Sequence, residues 1–115
     1  MSTSKRTAEF IEDQLATLDV HTKPMFGEYG VYCDGKVVGF ITDDVLFIKP
    51  SPADPSLFER CEPGHAYPGS KIYHGVPGDA LDDHEWLCEA IQATADALPA
   101  PKPKKPRASG GGAGR

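Results

Sequence analysis

The spacing of apolar positions divides the chain into a helix, a cluster of strands, an isolated strand and a second helix. Ile11, Leu15 and Leu18 recur at helical spacing with Ala8 and Phe10 beside them, and Glu9, Glu12 and Asp13 fill the other face and the early turns. This predicts an amphipathic helix opened by a Ser4 or Thr7 cap and ending near Leu18. From Gly30 the period becomes two. Gly30-Val31-Tyr32-Cys33, Lys36-Val37-Val38-Gly39-Phe40-Ile41-Thr42 and Val45-Leu46-Phe47-Ile48-Lys49 read as three strands, joined by Asp34-Gly35 and Asp43-Asp44. Asp-Gly between β-prone runs is a strong hairpin signal, because a type I′ turn needs positive φ at both central residues. Strict alternation puts Val38, Phe40 and Thr42 on one face of the middle strand and Val37, Gly39 and Ile41 on the other. Both sets are largely apolar, which predicts a central strand covered on both sides.

The flanks are more fragmentary. Lys23 to Phe26 suits a short edge strand, where Pro24 costs no ladder hydrogen bond. Gly27 and Gly30 suggest a bulge or a close backbone approach. Three prolines between Pro50 and Pro55 interrupt regular structure. A short helix then opens at Pro55 or Ser56 and stops at Glu62-Pro63-Gly64. Tyr67-Pro68-Gly69-Ser70 is a turn, Lys71 to Val76 a fourth strand, and Pro77-Gly78 another turn. Asp82 or Asp83 caps a last helix in which Leu87, Ile91, Ala95 and Leu98 form the buried stripe, supported by Ala90 and Thr94. Pro99 ends it. The order of elements is helix, three-stranded antiparallel meander, short helix, strand, C-terminal helix: an α+β fold.

The central block resembles the N-terminal domain of the TfoX/Sxy family. The residues that carry the likeness are Met25, Phe26, Gly27, Tyr29, Gly30, Val31 and Tyr32, then Asp34, Gly35 and Lys36 at the hairpin. Phe40, Asp43, Asp44, Leu46, Phe47 and Lys49 continue it. Tyr73, Val76, Pro77, Ala80, Leu81 and Asp82 form a second matching block. Glu28 departs from the pattern where many members have Gly, and the Pro50–Pro55 run departs where members enter a helix with more charge. The likeness spans about residues 4 to 98. It implies an α+β domain and a non-enzymatic role in regulating gene expression, DNA-uptake competence in particular, through protein contacts. Family members pair this domain with a C-terminal helical one. The residues after 99 are too few for that, which implies a stand-alone form with a different or narrower role.

Charge divides the chain at the same place. Of 12 basic residues, Lys102, Lys104, Lys105, Arg107 and Arg115 follow residue 99, where there is no acid. The 17 acidic residues therefore face seven basic ones in the domain, a formal charge of −10 against −5 for the whole chain. An acidic domain with scattered lysines argues against broad nucleic-acid binding by the domain itself. Residues 1–99 thus read as the domain. Residues 100–115 read as a disordered, basic, Pro- and Gly-rich tail whose Lys102, Lys104, Lys105 and Arg107 are candidates for weak, salt-sensitive nucleic-acid contact.

Three cysteines, Cys33, Cys61 and Cys88, make no C-x-x-C pair. With no secretory signal they predict free thiols in a reducing cytoplasm. No apolar run approaches the ~20 residues of a membrane span. Cys61 and His65 lie four apart, but Glu62 and a turn stand between them, and no third group marks a nucleophile–base pair. His65, His74 and His84 lack the tight spacing of a zinc site, and no cofactor is implied.

Three functional readings follow. The first is an interaction module that docks on a protein such as a transcription factor, or on a second copy of itself. Its surface is an open sheet edge or exposed aromatics such as Tyr29, Tyr32 or Trp86. The second is nonspecific nucleic-acid association through the tail. The third is a small-ligand-binding protein or enzyme, which a pocket holding Glu28, His74 or Cys61 would favour.

Overall fold

A computed structural model describes residues 4–99. The tail residues named above lie outside them.

Helix α1 runs Lys5–Gln14, with the Ser4 hydroxyl accepting from the Thr7 amide as its cap. It ends earlier than its apolar stripe suggests. Turns continue to Leu18, so that the chain can reverse into β1 at Val20, while Ile11 and Leu15 remain fully buried. The strands are β1 Val20–Met25, β2 Glu28–Cys33, β3 Lys36–Thr42, β4 Val45–Ile48, β5 Glu62–His65 and β6 Ile72–Gly75. A 3₁₀ turn at Pro55–Phe58, a short helix α2 at Gly78–Leu81 and helix α3 at His84–Ala97 complete the order. All strands pair antiparallel in one six-stranded sheet of order β1-β2-β3-β4-β6-β5.

The α+β class and the meander follow the hydrophobic pattern; the strand count does not. The meander gains β1 as a full strand, and the fourth expected strand joins the same sheet as β6. Glu62-Pro63-Gly64, expected to end a helix, forms with His65 the edge strand β5.

Three two-residue loops link β1 to β4, and each has positive φ at both central residues: Phe26-Gly27 (50° and 81°), Asp34-Gly35 (55° and 80°) and Asp43-Asp44 (51° and 62°). The expected bulge lies elsewhere than the Gly27–Gly30 segment. Val31 pairs with Gly39 but Tyr32 pairs with Val37, which leaves Val38 as an extra residue in β3. One extra residue exchanges the two faces beyond it. Val38 therefore joins Ile41 in the core, against the strict alternation expected from sequence, and Val37 takes the other face with Phe40. The bulge also turns Lys36 toward α3.

Both long helices pack on one face of the sheet. The core between them holds Ile11, Leu15, Val31, Val38, Ile41, Leu46, Ile48, Leu87 and Ile91, all fully buried. The other face carries no helix, so β3 is central but is not helix-covered on both sides. What covers it is partial: the Pro68-Gly69 turn, closed by the Ser70 amide donating to the Tyr67 carbonyl at 3.0 Å, folds Tyr67 over Phe40.

Candidate functional site

The family-like motif divides into residues that build the fold and residues that are left on its surface. Lys36 Nζ donates to the carbonyls of Ala95 at 2.6 Å and Leu98 at 3.1 Å, which closes the C-terminus of α3. A lysine suits this place because the last helical carbonyls lack partners and carry partial negative charge. Asp34 accepts from Gln92 of the same helix at 2.9 Å. The Asp-Gly-Lys hairpin is thus a latch on α3. Asp44 accepts from the Ser4 amide at 2.9 Å and the Thr7 hydroxyl at 2.8 Å, which fastens the next turn to the start of α1. These bonds hold the Asp44 carboxyl below its ordinary range, the Ser4 amide contributing most. Glu28 accepts from the Asp43 amide at 3.1 Å. Tyr29 packs against the core.

Phe26 differs from all of these. It is 100% exposed, at the tip of the β1–β2 hairpin, with φ of 50°. Bulky side chains are rare in that left-handed region, which disfavours them by about 1–2 kcal/mol. Gly27 completes the turn at φ 81°. Gly30 leaves room for Met25 to fold across it: a Cβ there would lie 3.2 Å from Met25 Cε. Behind the exposed ring is a cavity of about 380 Å³ lined by Met25, Phe26, Glu28, Phe40, Thr42 and Tyr67.

The helix-free face continues in both directions from there. Tyr32 stacks on His21 at 5.1 Å between ring centroids, with Lys23 Nζ 5.2 Å from the Tyr32 ring. Phe40 meets Tyr67 edge-on at 5.8 Å and Tyr73 at 6.0 Å. Phe47 lies across Gly64 and Gly75, where a Cβ would approach its ring. The result is an aromatic surface that β1, β2, β3, β4 and β6 all contribute to.

Trp86 is already engaged. Its indole N–H donates to the Leu57 carbonyl at 2.8 Å, and the Arg60 guanidinium sits 4.9 Å above its ring. Arg60 also pairs with Asp83 at 2.9 Å, and Asp83 caps α3 by accepting from the Trp86 amide at 3.1 Å. Of the two expected cap residues, Asp82 and Asp83, the α3 cap is therefore Asp83.

No nucleophile is assembled at Cys61. Burial pushes its thiol up to about 11, outweighing the Arg60 charge that lowers it, and His65 Nδ1 bonds the Ser70 carbonyl at 2.9 Å. Cys33 is also raised to about 11, by burial first and the Asp34 charge second. His74 stacks on Phe58 at 4.3 Å, and burial holds its imidazole below the ordinary range. The sequence reading missed a second Cys–His neighbourhood, Cys88 and His84 with Sγ 3.9 Å from Nδ1. Their i, i+4 spacing in α3 was the available signal. Both side chains turn to the Gln14 carbonyl, at 3.4 Å and 2.8 Å, so His84 Nδ1 carries a proton and cannot accept one from the thiol. Among the described residues no group of three or more His, Cys, Asp or Glu is placed to hold a metal, and no helix is long and apolar enough to cross a membrane.

The TfoX N-terminal domain profile matches residues 13–98. The chain is also 42% identical over 114 residues, 98% of each protein, to a Spirochaeta aurantia protein described as an uncharacterized 12.7 kDa protein in the trpE 5′ region.

Proposed function

The chain belongs to the TfoX N-terminal domain family, a regulatory and non-enzymatic one, and on that premise we propose that it acts as a competence-related regulatory module through protein contacts. The contact surface in this reading is the helix-free face, with Phe26 as its anchor. The partner is a protein of the transcription-factor class that presents apolar side chains to the Phe26 tip and the cavity behind it. The reading sets the protein at work in the cytoplasm, in keeping with its three free thiols.

One observation carries this reading. A fully exposed phenylalanine is held in a strained turn that glycine or asparagine would fill at lower cost. Large exposed apolar groups beside a preformed cavity are characteristic of recognition surfaces. The sheet edges are weaker candidates, because β1 carries Pro24 and β5 carries Pro63, residues that blunt strand addition.

The test is affinity capture from native lysate, with and without nuclease, using the full chain, Phe26→Ser and a 1–99 truncation as baits. The reading expects one regulatory protein held by the full chain and the truncation, insensitive to nuclease and lost with Phe26→Ser. Capture that disappears with nuclease or with the tail would replace it by charge-driven nucleic-acid association.

A further inference from the structure

Beside the apolar cavity lies a second one of about 260 Å³, lined by Lys49, Pro50, Tyr67, Lys71 and Tyr73. Its position follows from strand geometry. Lys49 succeeds Phe47 by two residues and Lys71 precedes Tyr73 by two, so both lysines lie on the helix-free face. β4 and β6 are neighbours in the sheet, which brings the two lysines together. Tyr67, held by its Pro-Gly turn, forms the wall between the two cavities and lines both.

The charge arrangement is unusual for this protein. Seventeen acidic residues face seven basic ones before residue 99, yet two of those seven lysines and arginines converge here. Among the described residues Lys5 pairs with Glu9 and Arg60 with Asp83, and neither Lys49 nor Lys71 has a carboxylate partner there. Like charges held together repel, and in an acidic domain carboxylate partners were plentiful. Two phenols share the cavity: the 6%-exposed Tyr73 is hydrogen-bonded to Tyr67, and the Tyr67 O–H can donate to an oxyanion. On the other side of Tyr67 the Met25–Phe40 cavity is walled almost wholly by apolar groups.

We propose that these adjoining cavities form one binding site for a small organic oxyanion with an apolar body. The anionic head lies between Lys49 and Lys71, and the aryl or alkyl body crosses Tyr67 onto Phe40 and Met25. The head is a carboxylate or a phosphate monoester, since ammonium and phenol donors serve either. The apolar half of this site is the cavity that the Phe26 contact also uses, but a ligand here needs no protein partner, so titration of the chain alone and capture of a partner test the two readings separately.

The test is a titration of the full chain, followed through its amide resonances, with phenyl phosphate, phenylacetate, inorganic phosphate and phenol as separate probes. Phenyl phosphate or phenylacetate is expected to shift Phe40, Lys49, Tyr67, Lys71 and Tyr73 and to saturate about tenfold more tightly than inorganic phosphate or phenol, because each of those offers only half of the contacts. The tighter of the two amphiphilic probes identifies the head. The double substitution Lys49→Gln with Lys71→Gln, on surface side chains, should reduce the better probe to the level of phenol. Lys23→Gln, a lysine of the same face away from the cavity, should leave it unchanged. Equal binding by the double variant, shifts confined to residues 100–115, or no saturable shift with any probe would overturn the assignment.

Discussion

The two faces of the sheet are built from different side chains. The helix-covered face is aliphatic and closed: Ile41, Leu46 and Ile48 meet Ile11, Leu15, Leu87 and Ile91, with no access to solvent. The helix-free face is aromatic and partly open: it carries Tyr32, Phe40, Phe47, Tyr67 and Tyr73, and Phe40, Tyr67 and Tyr73 line its two adjoining cavities. Branched aliphatics fill a dry layer at high density. Aromatics offer broad contact area with a polar edge, and they remain useful when half exposed. The same strands supply both sets by alternation, and the Val38 bulge decides which residue goes to which side. Stability is therefore expected to reside on one face and recognition on the other, and four substitutions separate them.

Leu46→Ala should have the largest effect. A fully buried leucine leaves a cavity that its neighbours fill only in part, with an expected loss of about 2–5 kcal/mol in urea unfolding. Loss of similar size on truncating Phe40 would erase the distinction between the faces.

Lys36→Met comes next. It keeps most of the stem and removes the ammonium from the Ala95 and Leu98 carbonyls. Those carbonyls can hydrate at a helix end, so the expected cost is about 1–2 kcal/mol. Amide exchange should accelerate in the last turn of α3 rather than uniformly, and that locality is the check on the latch.

A smaller effect should appear with pH. Burial lowers the affinity of His74 for a proton in the fold, so the unfolded chain binds more protons in the interval between the two values. Stability is then complete above the ordinary imidazole range near 6.5 and declines as pH falls through the depressed folded value. His74→Phe preserves the stack on Phe58 and should flatten that part of the stability–pH curve. An unchanged slope in the variant would assign the acid sensitivity to other groups.

How far these features could be read beforehand depended on how local their causes are. The helix stripes, the Asp34-Gly35 turn and the three strands of the meander are written in short-range pattern, and they emerged as expected except for the early end of α1 and the alternation within β3. Glu62-Pro63-Gly64-His65 has no strand propensity of its own. It becomes β5 because β6 offers it a partner and Phe47 needs the space over Gly64. The bulge at Val38 is equally nonlocal: it satisfies the need to direct both Val38 and Lys36 toward α3, and nothing in Lys-Val-Val-Gly announces it. The motif residues were legible as a group but not in their roles. Lys36 and Asp34 resemble surface charges until α3 is in place. The convergence of Lys49 and Lys71, 22 positions apart in sequence, requires β4 and β6 to become neighbours.

Phe26 gives the smallest change in stability, and its sign is the most informative. The turn demands positive φ at this position, a conformation that asparagine adopts more readily than phenylalanine, and the exposed ring has little packing to lose. Phe26→Asn is therefore expected to stabilise the domain by about 1 kcal/mol, seen as a raised midpoint in urea, while abolishing capture of the protein partner. A residue that weakens its own fold and is kept for contact would be a stability–function compromise of the kind found at recognition surfaces. If Phe26→Asn instead destabilises the domain, the ring is folded into the cavity beside Met25 and Phe40 in solution, and the open face is closed by its own hairpin. That result would transfer Phe26 from the recognition side of the comparison to the structural one, and leave the lysine-lined cavity as the accessible part of the face.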